Sequence, residues 1–361
     1  MAAVTILLTS DIHFAIERIN PLISRSERFS TFKKIISLAK EHDIFLIVGD
    51  LVELPFACDE LINEINKELQ SLMDSGTEVF YLPGRSELCF DCRAKFSVDD
   101  IKTTGTLRTD DVIKSSKGDI FLYGTAPCNL NRTSLTRLPD KGFHIGMFYG
   151  DFDPNSEKKF SHCSISRSDI KNMNFDFYAL GGCHLPRLFR IPEKILGACA
   201  GSPEACSIDE TGERFVISMT VNSSKIVFIK RIPVNTISIQ ERTFDCSSIK
   251  SEMELADQLK EISNRDCINY IRLSGTRSFL ITDSFRSEMT GFFRGLKIID
   301  NTKRDLQVLL AEESEGDSLK ARFYGTLKDR IIAGDSLLSE IIEKDKIAES
   351  FSTGGVLFCD S

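Results

Sequence analysis

Long apolar runs are missing from this sequence: nowhere in its 361 residues does a hydrophobic stretch reach the length needed to span a membrane. That excludes a transmembrane helix by the usual reading. A secretory leader is not expected, because the opening MAAVTILLTSDIH is too short for one and runs directly into polar residues of interest. Both absences point to a cytoplasmic protein with no membrane partner. Regular cysteine spacing is lacking too. The 11 cysteines are odd in number and unevenly placed, which fits free thiols in a reducing compartment and not a disulfide scaffold. Cys89 and Cys92 form a single CxxC with no second pair at matching spacing, so a zinc knuckle is not expected. Nor is there an excess of positive charge. The net charge of −8 argues against nucleic-acid binding driven by bulk charge. Small clusters at Lys158-Lys159, Arg187 with Arg190, and Lys230-Arg231 could still line a local basic face. Repeats and long low-complexity segments are absent.

What is present is an ordinary globular composition, 42% hydrophobic and 27% charged, long enough for two or three domains. The most informative stretch is IFLIVGDLVE at residues 44–53. Five apolar residues, rich in β-branched types, lead into Gly49-Asp50, as in a buried strand that turns sharply at its end. Residues 4–9 form a similar strand ending in Ser10-Asp11-Ile12-His13. Carboxylates and an imidazole at the carboxyl ends of adjacent strands are well placed to hold a divalent metal. The alternative is that Asp11 and Asp50 merely cap helices in βα loops. Among the remaining histidines, His42 ends a helix, and His144 and His162 read as structural.

Helical spacing of apolar residues marks 24–42 and 59–74, and a third strand covers 79–82 before Pro83-Gly84-Arg85-Ser86-Glu87. Strand and helix alternate, which implies a parallel sheet with right-handed crossovers. From residue 120 onward short strands follow one another, at 120–123, 143–148, 175–180, 188–191, 195–200, 215–221 and 226–232. A connection is expected at 234–247. Beyond it a helix at 248–262, a strand at 269–273, a helix at 284–293 and a strand at 296–299 suggest a small separate α/β unit. An acidic loop at 312–317 and helices at 319–332 and 336–348 close the chain. The expected division is 1–235, 236–305 and 306–361.

Asp11-Ile12-His13, Gly49-Asp50 with Glu53, Pro83-Gly84 with Glu87, and Gly181 with His184 together resemble the calcineurin-like metallophosphoesterases, and within them the SbcD-type double-strand-break repair nucleases. The segment from Ala200 to Glu204, followed by Asp209-Glu210, resembles the close of that catalytic domain, and the small α/β unit resembles its DNA-capping domain. The resemblance implies a four-layer α-β-β-α sandwich with a smaller C-terminal α/β domain. It implies two manganese-type ions bridged by Asp50, the first held by Asp11, His13 and His184. Imidazoles with carboxylates suit manganese, iron or zinc.

The second half of that site departs from the family pattern. Where the family carries Gly-Asn-His, this chain has Gly84-Arg85-Ser86. A family histidine ligand corresponds to Tyr149, and the Gly-His-x-His motif reads Gly181-Gly182-Cys183-His184. Three ligands of the second metal and the catalytic histidine are thereby replaced at Arg85, Ser86, Tyr149 and Gly182. Cys183 could be a soft ligand, but its side chain should point away from that of its neighbour. Two metals about 4 Å apart would clamp the attacking and leaving oxygens of a phosphodiester, so losing one removes a +2 charge. Arg85 is expected to place its guanidinium there, bonded to Asp50 or a nearby acid. The implied function is an SbcD-like homologue acting at DNA ends with an SbcC-type coiled-coil ATPase, weak or inactive in catalysis, with at most one divalent ion of manganese type. Two alternatives stay open: an active single-metal phosphodiesterase or exonuclease, and a regulatory binding module with no nucleic-acid role. A homodimer is compatible with either.

Overall fold

The computed structural model describes residues 3–88, 102–103, 111–125, 135–152, 164–191, 194–305, 308, 310, 314 and 318–334. The chain separates into two compact units, Met1–Ser238 and Ile239–Ser361.

The first unit is built on two six-stranded sheets. Its strands are β1 (Val4–Ser10), β2 (Ile44–Val48), β3 (Glu78–Leu82), β4 (Lys102–Thr103), β5 (Asp111–Lys114), β6 (Ile120–Thr125), β7 (Phe143–Tyr149), the short pair β8 (Asp151–Phe152) and β9 (Ser164–Ile165), β10 (Phe177–Gly181), β11 (Arg187–Ile191), β12 (Lys194–Cys199), β13 (Phe215–Val221) and β14 (Ile226–Pro233). The first sheet runs β14-β13-β1-β2-β3-β4 and the second β11-β12-β10-β7-β6-β5. Strands β1 to β4 are mutually parallel, as are β6, β7, β10 and β12, while β13, β14, β5 and β11 pair antiparallel at the flanks.

Alternation of side chains along these strands sorts the core into layers. Ile6 and Leu8 of β1, with Ile44, Leu46 and Val48 of β2, face inward against Ile145 and Met147 of β7 and Phe177 and Ala179 of β10. The outward residues Leu7, Phe45 and Ile47 pack instead under two helices, α1 (Arg25–Ala39) and α2 (Asp59–Asp74). Helix α1 starts where Ser24 and Glu27 form a reciprocal capping box, and it buries Phe32, Ile35, Ile36 and Ala39 along one face. A one-turn helix α3 (Arg85–Leu88) follows β3. On the far face of the second sheet, Tyr123, Phe148, Tyr178 and Leu180 pack beneath α4 (Arg167–Met173) through Met173. The result is a four-layer α-β-β-α sandwich. Strands β1 and β2 lie over β10, and β3 over β7, so the parallel strands of both sheets end at one mouth. By the same order β14 and β11 form the same outer edge.

The second unit has a sheet of β15 (Ser238–Asp245), β16 (Cys267–Ser274) and β18 (Leu296–Asp300), with β17 (Thr276–Arg277) and β19 (Lys303–Arg304) as a separate pair. Helices α5 (Glu252–Glu261) and α6 (Asp283–Thr290) cover it through Leu255, Leu259, Phe285 and Met289. Helix α7 (Leu319–Ile332) also falls in this unit. The boundary between the two units falls inside the expected connection at 234–247, but that stretch is not a simple linker. Most of it is the strand β15, whose polar residues alternate with half-buried ones and hid its pairing with β16. The expected helix at 336–348, Cys89, Cys92, Lys158-Lys159 and His162 lie outside the described residues, as does nearly all of the 312–317 loop.

Candidate metal centre

Three strand ends deliver the four candidate residues. Asp11 follows β1 and Asp50 follows β2, and the two segments continue to pair beyond the strands, with the His13 amide donating to the Asp50 carbonyl at 2.9 Å. This pairing forces a tight turn on each chain. Asp11, His13 and Asp50 all lie in the left-handed backbone region, with φ of 53°, 51° and 42°. Such residues each cost on the order of 1–3 kcal/mol and tend to gather at functional sites. Asp11, Asp50 and His13 are nearly fully buried, while His184, beyond β10, is about one third exposed.

The donor atoms converge. The Asp11, His13 and Asp50 ligand atoms all lie within 4.8 Å of one another. Nε2 of His13 stands 3.1 Å from Nε2 of His184 and 3.7 Å from Oδ2 of Asp50. Each ring is fixed from behind by a carboxylate. Nδ1 of His13 meets Oε1 of Glu53 at 2.6 Å, and Nδ1 of His184 meets Oε1 of Glu210 at 2.7 Å. A carboxylate only accepts, so both Nδ1 atoms carry the proton and both Nε2 lone pairs point into the pocket. Two such lone pairs repel unless a proton or a cation lies between them. Burial would raise both supporting carboxyls, but the hydrogen bonds from the imidazoles, joined by Ser86 at Glu53 and by Ser202 and the Arg214 charge at Glu210, hold them below their ordinary values. The Glu210 bond in turn holds His184 above its ordinary value, against the effect of burial.

Asp11 supplies a further sign of a cation. Its Oδ1 accepts from the Gly182 amide at 2.6 Å, yet its Oδ2 is buried without a hydrogen-bond partner. Burial pushes this carboxyl up to about 6, with the Asp50 charge adding and His13 opposing. An orphaned carboxylate oxygen, two facing imidazole nitrogens and a second carboxylate fit a divalent ion. His13, His184, Asp11 and Asp50 are the residues that would hold it. When bound, the ion would act as a Lewis acid on an oxygen brought to it.

The second-metal side is arranged differently from the expectation. Arg85 is exposed, at the start of α3, and does not reach Asp50. The backbone of that turn faces the carboxylate instead: the Ser86 amide donates to Oδ1 of Asp50 at 3.2 Å. The group that meets Oδ2 of Asp50 is the hydroxyl of Tyr149, at 2.5 Å. Its ring lies against the backbone of two glycines in left-handed conformation, Gly49 and Gly182. A methyl group at Gly49 would come within 2.5 Å of the ring, and one at Gly182 within 2.9 Å. Thus two positions that resemble family ligand sites, 149 and 182, form one packed unit in which a small residue makes room for a large one. Glu87 anchors the same loop, accepting from the Val52 amide at 2.9 Å and the Gly84 amide at 2.7 Å, and burial followed by the Asp50 charge pushes it up to about 7.

Several supporting residues were not apparent in the sequence. Arg28 of α1 is buried and donates to the carbonyl of Ile12, between Asp11 and His13, at 2.9 Å and to that of Ala205 at 3.1 Å. Arg214 pairs with Glu210 at 2.9 Å and donates to the His184 carbonyl at 2.7 Å. Cys206 is buried, with its thiol pushed up to about 12 by burial. By contrast, Cys183 turns toward the Leu185 carbonyl and the outer apolar layer. His144 stacks on Phe121 and bonds Tyr123, and His42 bridges the Leu38 carbonyl and Ser218, both structural positions.

Comparison with known proteins agrees with this geometry. Residues 4–157, which include Asp11, His13, Asp50 and Tyr149, match the family model for calcineurin-like phosphoesterases. That part of the chain is similar to a calcineurin-like phosphoesterase. The matched part stops short of His184 and Glu210, which the fold brings in from the second sheet and the loop beyond it. Among curated proteins, a subunit of the V-type proton ATPase of Dictyostelium discoideum is 25% identical over 174 residues, 45% of this chain. The chain spans 61% of that relative's length. Among solved structures, Vps29 of Chaetomium thermophilum is 10% identical with a TM-score of 0.28, covering 64% of this chain and 98% of that one, a likeness too slight to bear on fold or function. Among the described residues no helix is long and apolar enough to cross a membrane.

Proposed function

We propose that this chain is an SbcD-like homologue that acts at DNA ends with an SbcC-type coiled-coil ATPase, and that its phosphoesterase pocket is reduced to one ion and hydrolyses weakly or not at all. The observation that carries this reading is the Tyr149 hydroxyl on Oδ2 of Asp50, with its ring packed against Gly49 and Gly182. Asp50 would be the bridging ligand of a two-metal site. Here Oδ2 of Asp50 already accepts from a neutral donor and Oδ1 from the Ser86 amide, and positions 149 and 182 offer no imidazole for a second ion. A two-metal site stabilises both the attacking and the leaving oxygen. One ion can polarise the phosphoryl group but does not serve both oxygens. Ser86, at the position of the family's catalytic histidine, offers no group that protonates a leaving group near neutral pH.

Exposed Arg187 and Arg190 on β11, with Lys230 and Arg231 on β14, support a nucleic-acid-facing role, since both strands lie at the same edge of the sandwich. The triad Asp11, His13 and Asp50, with His184 facing His13, supports a second reading, a phosphodiesterase that works with one ion. The two readings separate when linear duplex DNA is incubated with the protein, manganese and the ATPase partner. The proposal expects end binding without turnover above the metal-only background. Steady digestion that Asp50→Asn abolishes would replace it with the single-ion enzyme.

A further inference from the structure

The pocket contains a sulfur donor in addition to the carboxylates and imidazoles. The Sγ of Cys206 and ligand atoms of His13 and His184 all lie within 4.8 Å of one another. Two donor triads therefore meet at His13. One, Asp11-His13-Asp50, is mostly oxygen, and the other, His13-His184-Cys206, is nitrogen and sulfur. Cys206 is held in place by the machinery that orients His184. Its amide donates to Oε2 of Glu210 at 3.1 Å, while Oε1 of the same carboxylate binds His184. Its carbonyl accepts from Asn20 at 2.8 Å. The sulfur has only weak contacts otherwise, the Glu204 carbonyl at 3.7 Å and Nη1 of buried Arg28 at 3.9 Å. Burial keeps this thiol protonated when no ion is bound, with the Arg28 charge opposing only in part, so the sulfur would become a thiolate only on binding a metal. The facing imidazole nitrogens of His13 and His184 independently indicate a cation at this point, and the unpartnered Oδ2 of Asp11 belongs to the adjoining triad that shares His13.

We propose that Cys206 is a thiolate ligand of the bound ion, and that the site therefore selects a zinc-class ion over manganese. Thiolate with imidazole suits zinc, whereas manganese prefers oxygen donors. On binding, the S–H bond breaks, a sulfur–metal bond forms and the proton leaves to solvent, with no change in oxidation state. The inference rests on the single-ion reading above only in placing that ion between His13 and His184.

The test uses the full chain, stripped of metal and titrated with cobalt(II) as a spectroscopic substitute for zinc. The expected result is a near-ultraviolet thiolate-to-cobalt charge-transfer band that saturates with bound cobalt. Cys206→Ser should lose that band, keep its far-ultraviolet dichroism, and bind zinc more weakly by at least the roughly 10-fold that loss of an outer partner costs, with manganese binding little changed. Cobalt bound without the band overturns the thiolate ligand, whatever the variant does, and at one equivalent leaves the single-ion reading intact. Two bound equivalents overturn the single-ion reading, and the band alone then decides the thiolate. No bound cobalt overturns both.

Discussion

A tyrosine hydroxyl on a carboxylate does part of what a cation does: it satisfies a lone pair and fills space, but it brings no charge. At Asp50 that substitution has a measurable cost when undone. Tyr149→Phe keeps the ring against Gly49 and Gly182 and removes only the O–H. In EDTA it should destabilise the chain by about 1–3 kcal/mol, the cost of stripping a partner from a buried polar group. The gap should narrow when a divalent ion is added. Equal unfolding curves in EDTA would contradict the role given to the hydroxyl. Gly182→Ala should also destabilise, since its methyl would meet the ring at 2.9 Å and its φ is 88°. Part of that loss is the clash, and it should disappear in a Tyr149→Ala background. A double-mutant cycle should therefore show a coupling of roughly 0.5–3 kcal/mol, and additivity would separate the two positions.

The buried carboxyls set a pH dependence of defined sign. Asp11 rises from 3.8 to about 6 and Glu87 from 4.5 to about 7, chiefly through burial. A carboxyl raised in the folded state binds more protons folded than unfolded, so stability is lost as pH climbs through the interval between the two values. His184, held above its ordinary value, acts in the same sense: its stabilisation is present at lower pH and is lost as pH rises through the raised value. Without metal, the unfolding midpoint should fall between about pH 5 and about pH 7.5, and a divalent ion should offset the fall by favouring the charged carboxylates. A flat or rising profile in EDTA would show that these groups are not buried as described.

At the level of elements, helix α1 does more than cover a sheet. Its Arg28 reaches through the core to the carbonyls of Ile12 and Ala205 and so ties the β1 turn to the Cys206 loop. Arg28→Met should cost about 3 kcal/mol by leaving buried groups unpaired, and should weaken metal binding because both tethered segments carry candidate ligands. Denaturant midpoints with parallel zinc and manganese titrations would check this, and unchanged metal affinity would limit Arg28 to a structural role. The elements show what a sequence discloses. Strands β1 and β2 and helices α1 and α2 were legible because period and burial agree along them, and Asp11, His13 and Asp50 were legible because they stand where those strands end. Strand β15 was not, because its exposed polar residues masked the alternation. The short capped helix α4 also went unseen, although Ser166 and Asp169 form a capping box that announces it. Arg85 was misplaced because which side of a one-turn helix faces a pocket depends on the turn and not on the residue. Glu210 reaches His184 across 26 residues and Arg28 reaches Ala205 across 177, separations that leave no local pattern.

On the scale of the whole first unit, the pocket exists because two sheets end at one mouth. The first sheet contributes Asp11, His13 and Asp50, and the second contributes Tyr149 and His184, with Glu210 and Cys206 from the loop before β13. The central proposal is that this assembly accepts a single divalent ion, because Tyr149 bonds Asp50 and neither Tyr149 nor Gly182 supplies an imidazole. The most direct test is elemental analysis of the full chain after saturation with manganese or zinc and removal of excess metal by gel filtration. The account predicts one equivalent per chain for whichever ion is retained, falling to none in a His13→Ala, His184→Ala double variant. Two equivalents in the unaltered chain would contradict it.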